Sequence, residues 1–202
     1  MNEKALLRRL IRSRALDGEK RAQESAAICR HILQSPWYRE ARVIGGYMPM
    51  QREADVLPVL RDALASGRTL ALPLCGEAPH MTLRRVSSLE ELRTGAYGIP
   101  EPSEDMQIIP VEEVDLLLTP LEGIDPKGMR LGKGGGYYDC LLAGKNVRTM
   151  GCALSWQKVD CVPAQPWDQP LAACADRNGI QVYPSYDVRE EADYAGQEEK
   201  EQ

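Results

Sequence analysis

Between residues 3 and 16 the apolar side chains Leu6, Leu7, Leu10 and Ile11 recur at helical intervals against arginines on the opposite face, which predicts a first helix. After the Asp17-Gly18 break, Ala22, Ala26, Ile28, Ile32 and Leu33 carry the same period over 19–33, and Ser35-Pro36 stops it. The pattern then changes. The apolar run RVIGGYM at 42–48 reads as a buried strand, 55–66 as a helix and TLALPL at 69–74 as a second strand, together a β-α-β unit. A hairpin or edge pair is expected at 81–86. VDLLLT at 114–119 reads as a further buried strand, and later strands are expected at 149–154, 172–175 and 180–183. Such alternation predicts an α/β fold, with a mostly parallel sheet covered by helices on both faces. Ligands of these sheets bind beyond the carboxyl ends of the strands, here the segments 47–55 and 120–138.

The second of those segments holds the densest chemistry. From Asp125 to Asp139 it reads DPKGMRLGKGGGYYD, glycines crowded between two cations and closed by a carboxylate. Glycine lets successive backbone N–H groups converge on an anion, and Arg130 and Lys133 add fixed positive charge. Tyr137, Tyr138, Leu141 and Leu142 predict a short helix from about Gly136, its N-terminal dipole facing the same anion. Asp139 beside a polyphosphate is repelled unless a cation lies between them, and Mg²⁺ is the natural choice. The spacing matches neither a Walker A motif nor a Gly-x-Gly-x-x-Gly fingerprint, so a solvated glycine-rich turn stands as the plain alternative.

Three further groups carry two readings each. Glu53 precedes a helix, where it is either a helix-start charge or an acceptor for a nitrogen-rich ligand. Met48 is either core or the rim of a site for a flat heterocycle. Lys4 and Arg8 share a helix face, which Arg12 extends; they are solvated unless the first helix packs beside the glycine loop, where they reach phosphate or carboxylate groups.

A chain of 202 residues suffices for one domain, expected over 1–185, and the acidic segment 186–202 has too little to bury and is expected to be disordered. The formal charge of −5 argues against a nucleic-acid partner. Six cysteines, at 29, 75, 140, 152, 161 and 174, form neither a Cys-x-x-Cys pair nor a zinc pattern and read as reduced thiols. No segment approaches a membrane span and the arginine-rich start lacks an apolar signal core, so the cytoplasm is expected and a membrane partner is not. With only His31 and His80 as imidazoles and no Ser/His/Asp arrangement, histidine-based or covalent catalysis has no candidate. Phosphate positioning with a metal remains, which suits chemistry driven by ATP.

Assembled in this way, the chain closely resembles the 5-formyltetrahydrofolate cyclo-ligase, or methenyltetrahydrofolate synthetase, family. The resemblance is carried by TPLEGID at 119–125 and GMRLGKGGGYYD at 128–139 with Leu142, and by Lys4 and Arg8. The segment Met48 to Glu53, YGIPEP at 97–102 and WDQPL at 167–171 add to it. It implies a Rossmann-like fold related to sugar-phosphate isomerases and CoA transferases. It implies ATP- and Mg²⁺-dependent conversion of 5-formyltetrahydrofolate to 5,10-methenyltetrahydrofolate, through phosphorylation of the formyl oxygen and ring closure by N10, with ADP and phosphate released. The resemblance places ATP on Lys4, Arg8, Arg130, Leu131, Gly132, Lys133, Gly134, Gly135, Gly136, Tyr137 and Tyr138, with Arg130, Lys133 and Tyr138 at the chemistry. It places the folate on Arg8, Met48 and Glu53, and Mg²⁺ on Asp139. A monomer is expected.

The chain also departs from that pattern. Ala172 stands where the family often carries an Asp, Asp176 and Arg177 where it carries a Thr-Glu pair, and Cys140 where Arg is common. Water and ATP oxygens can complete Mg²⁺ coordination in place of a second carboxylate. The departures leave a catalytically impaired folate- or nucleotide-binding regulatory paralogue as the alternative, ahead of a phosphosugar isomerase or acyl-CoA transferase.

Overall fold

Side-chain caps fix where the first helices begin. Asn2 accepts the Lys4 N–H at the start of α1 (Glu3–Ser13), and Asp17 accepts the Lys20 N–H at the start of α2 (Gly18–Gln34). Ser35 ends α2 and also caps a short α3 (Pro36–Glu40), with Pro36 in its first turn, so Ser35-Pro36 is a corner between two helices and not only a stop. The computed structural model describes residues 2–15, 17–95, 98–165 and 168–184. Tyr97, Trp167 and the acidic segment 186–202 lie outside the described residues.

Five parallel strands form the centre of an eight-stranded sheet. They are β1 (Val43–Gly45), β2 (Thr69–Cys75), β7 (Leu116–Thr119), β10 (Thr149–Cys152) and β11 (Ala173–Asp176), ordered β11-β10-β7-β1-β2. Antiparallel strands extend both edges: β12 (Gly179–Val182) beside β11, then β3 (Met81–Val86) and β6 (Ile108–Ile109) beyond β2. Two ribbons lie apart from the sheet, β4 (Arg93–Thr94) with β5 (Pro100–Glu101) and β8 (Gly123–Ile124) with β9 (Arg130–Leu131). The expected β-α-β unit is β1, α4 (Leu57–Ala65) and β2.

The sheet alternates between two apolar layers, as a pleat requires. Leu70, Leu72, Leu116 and Leu118 join one cluster with Ile28, Ile32 and Leu60 of α2 and α4. Ala71 and Leu117 face the other way, toward Val111 and toward Leu142 of α5 (Tyr137–Leu142). Both faces are covered, but unequally. Long helices take the first, while a six-residue helix and a 3₁₀ turn at Val111–Glu113 serve the second.

The amphipathic reading of α1 needs rotating. Ile11 is buried and Leu7 packs on the main core, whereas Leu6 and Leu10 are 53% and 47% exposed. The inward face is Leu7 and Ile11, and the stripe Lys4, Arg8 and Arg12 runs along its edge, where Arg8 and Arg12 find acceptors at Gly132 and Glu122 beside the β8–β9 ribbon and Lys4 finds Asp168. Arg12 makes two hydrogen bonds to Glu122, at 3.0 and 2.9 Å, which raise its pKa above the ordinary value.

Candidate active site

The carboxyl ends of β1, β2 and β7 open into one cavity of about 790 Å³, within the size range of ligand sites. Every residue from Arg130 to Asp139 lines it, together with Lys4, Arg8, Met48 and Glu53. The residues singled out from sequence for two different ligands therefore face the same space. Pro73 and Cys75 at the end of β2, and Met81 at the start of β3, complete a largely apolar wall.

The segment from Pro120 to Tyr138 is not a free loop. Its first half is the β8–β9 ribbon, whose turn is held by Asp125. That buried carboxylate accepts the N–H groups of Lys127 at 2.9 Å, Met129 at 3.0 Å and Val162 at 3.0 Å, so it is structural. The ribbon delivers Arg130 to the cavity floor. Its guanidinium donates to Asp139 Oδ1 at 3.1 Å and to the Pro120 carbonyl at 3.5 Å, and lies 5.2 Å from the centre of the Tyr138 ring. Gly134 (φ +109°) and Gly136 (φ +73°) then turn the chain through left-handed conformations that side chains resist, and α5 follows.

Arg8 ties α1 to this loop, its Nε donating to the Gly132 carbonyl at 2.7 Å. Partial burial lowers its pKa, the cost of withdrawing a cation from water. Lys4 pairs with Asp168, which also lines the cavity. Lys133 reaches across to the buried Glu53 at 2.6 Å and also contacts the Met50 sulfur. The other oxygen of Glu53 accepts the Met50 N–H at 2.8 Å. Tyr138 Oη is buried and makes no hydrogen bond among the described residues. Burial pushes its pKa well up, only partly offset by Arg130, so the hydroxyl stays neutral.

Asp139 is the carboxylate closest in sequence to the glycine loop. The described residues contain no group of three or more metal-ligating side chains. Ala172 is buried and presents only a methyl group, its N–H donating to Thr149 Oγ1 at 3.0 Å. A single carboxylate shared with Arg130 fits Mg²⁺, which keeps waters and takes substrate phosphate oxygens in preference to an all-protein cage. It fits poorly a cation that needs many protein oxygens.

Several site residues escape the sequence reading. Asp168 lies in the motif at 167–171 but carries no assigned role there; its partner Lys4 is the signal that finds it. Glu101 is a buried carboxylate on the cavity wall, and burial, then its negative charge, pushes the neighbouring Cys75 thiol up to about 11. Outside the cavity lining, Gln157 is buried and donates to the Leu121 carbonyl at 2.6 Å while accepting the Leu154 N–H at 2.9 Å, which fixes the connection from β7 to the ribbon.

Fold and cavity together define an α/β protein with a cationic glycine-rich loop at the carboxyl ends of parallel strands. The chain belongs to the 5-formyltetrahydrofolate cyclo-ligase family, whose sequence model matches residues 1–175. It is 30% identical over 155 residues to the 5-formyltetrahydrofolate cyclo-ligase of Haemophilus influenzae, spanning 74% of this chain and 83% of that protein. With the 5-formyltetrahydrofolate cyclo-ligase of Escherichia coli K12 it shares 28% identity over 168 residues, 80% of this chain and 92% of the relative. The NMR structure of Aquifex aeolicus 5,10-methenyltetrahydrofolate synthetase superposes with a TM-score of 0.79 at 30% identity, covering 90% of this chain and 93% of that one. A methenyltetrahydrofolate synthetase from Mycoplasma pneumoniae, 21% identical with a TM-score of 0.69, shares the fold over 87% of this chain and 99% of its own. No helix among the described residues is long and apolar enough to cross a membrane.

Proposed function

We propose that the protein converts 5-formyltetrahydrofolate to 5,10-methenyltetrahydrofolate at the expense of ATP. The observation that carries this reading is the single cavity in which the cationic glycine loop faces the Met48–Glu53 rim. Two ligands must meet there, because a formamide oxygen leaves poorly until it is phosphorylated. The γ-phosphoryl group moves to the formyl oxygen and ADP departs; N10 then attacks the formyl carbon, loses its proton, and the C–O bond breaks to release phosphate.

The side chains suit this sequence. Arg8, Arg130 and Lys133, with the N–H groups of 132–136, hold the polyphosphate and neutralise charge that spreads over the transferred group. Glu53 accepts N–H donors of the folate and Met48 packs on its flat ring system, while Tyr138 offers a neutral hydroxyl to an oxygen placed between the two ligands. Asp139 would hold Mg²⁺, which supplies charge neutralisation at the phosphates when bound. Holding both substrates in line supplies much of the rate.

Purified protein mixed with 5-formyltetrahydrofolate, ATP and Mg²⁺ is expected to develop the near-violet absorbance of the methenyl product. Lys133→Ala is expected to lower turnover at limiting ATP with the fold retained. Ligand binding by calorimetry without ADP release would instead establish a binding paralogue, for which Ala172 is the motivating observation.

A further inference from the structure

Helix α2 carries Arg21, Ser25 and Cys29 at successive four-residue steps, one above another on a single face. All three direct polar atoms to the segment between β1 and α4. Arg21 Nε donates to the Glu53 carbonyl at 2.8 Å and its Nη2 to the Met50 carbonyl at 3.3 Å. Ser25 Oγ accepts the Asp55 N–H at 3.0 Å, and Cys29 Sγ donates to the Asp55 carbonyl at 3.1 Å. Residues 50–53 themselves close into a turn, the Glu53 N–H donating to the Met50 carbonyl at 2.9 Å and the Met50 N–H to Glu53 Oε2 at 2.8 Å.

Arg21 therefore grips both ends of the turn that carries Glu53, yet it does not line the cavity. A guanidinium fork can serve two carbonyls at once in a fixed geometry, which an ammonium cannot. Ser25 and Cys29 anchor the chain two residues further on, so the turn is braced against α2 and can hold its carboxylate toward the ligand. We infer that Arg21 is a positioning residue for the folate end of the site, acting through the 50–53 turn to keep Glu53 aimed into the cavity. The inference rests on the reading of Glu53 as a folate contact.

Steady-state methenyl formation by the full chain tests it, with each substrate varied against saturating amounts of the other. Arg21→Ala raises the KM for 5-formyltetrahydrofolate by roughly tenfold, the scale on which loss of its charge-assisted grip on the turn would be felt, and leaves the KM for ATP unchanged. Arg21→Lys, which keeps the charge but not the planar fork, recovers part of that loss, and thermal melting shows that both variants remain folded. Combined with Glu53→Gln, Arg21→Ala adds little further, because both changes remove the same contact. Equal rises in both KM values, or a double variant worse than Glu53→Gln by the full factor of Arg21→Ala, would reduce Arg21 to general packing and overturn the inference. If Glu53→Gln itself leaves the folate KM unchanged, the folate reading of Glu53 falls and the inference with it. A strong Glu53→Gln effect beside a silent Arg21→Ala sinks the positioning role alone.

Discussion

Burial sorts the cysteines by reactivity. Burial raises the Cys29 thiol to about 11 and the Cys174 thiol to about 12, and burial with Glu101 nearby raises Cys75 to about 11. Cys140 and Cys161 are exposed. A raised pKa keeps the thiol protonated until the pH approaches that value, and only the thiolate attacks alkylating agents. Iodoacetamide at about pH 8 is therefore expected to label Cys140 and Cys161 first, with Cys29, Cys75 and Cys174 reacting only on unfolding or near their raised pKa values. Mass spectrometry of tryptic peptides over time checks the order; Cys75 labelled as fast as Cys161 would contradict it. The sequence identifies these residues as reduced thiols but cannot rank them, because the ranking depends on neighbours such as Glu101 that are distant in the chain. Lys4, Arg8, Glu53, Gly132 and Lys133 were legible as candidates because their type and spacing are local. The pairings among them, and Asp168 as the partner of Lys4, were not, because they form only on folding.

Among the elements, those with a readable apolar pattern were legible, the six-residue α5 and β3 included, and the two-residue strands were not. Helices α1, α2 and α4 and strands β2 and β7 lie close to where apolar spacing puts them. The β8–β9 ribbon has no period to read, so the stretch after β7 looks like loop until Asp125 closes its turn. The stripe on α2 is hidden for another reason. Periodicity is read from apolar residues, and Arg21, Ser25 and Cys29 are polar atoms spent inward. Glycines in this region serve two purposes that substitution can separate. A Cβ on Gly128 (φ +81°) would stand 2.7 Å from the Tyr183 ring and 3.1 Å from the Leu171 carbonyl. One on Gly136 (φ +73°) would come no closer than 3.4 Å to Pro79, leaving only the backbone cost of about 1–2 kcal/mol. Gly128→Ala is expected to lower stability in urea more than Gly136→Ala, and Gly136→Ala to raise the KM for ATP more than Gly128→Ala. The reverse ranking on either measurement would mean that the loop is not what shapes the nucleotide end.

At the scale of the whole molecule, two walls built beyond neighbouring central strands of the sheet meet over one cavity. The carboxyl ends of β1 and β2 supply the acidic, methionine-bearing side, and the ribbon after β7 supplies the cations. The Lys133–Glu53 pair at 2.6 Å spans them. In the free protein, then, the lysine already has a counter-ion, and the glutamate already has a donor. In the proposed reaction, a nucleotide phosphate entering the loop competes with a resident carboxylate, and success releases that carboxylate to the second ligand. Each ligand thus removes an obstacle to the other, and linkage requires the benefit to be equal in both directions. A non-hydrolysable ATP analogue is expected to tighten 5-formyltetrahydrofolate binding several-fold in calorimetry, roughly the 1 kcal/mol scale of a partly exposed ion pair. Lys133→Ala should bind the folate equally well with and without the analogue. The ion pair would in that case act as a toll on solitary ligands, favouring the doubly occupied state in which neither substrate waits unproductively for the other.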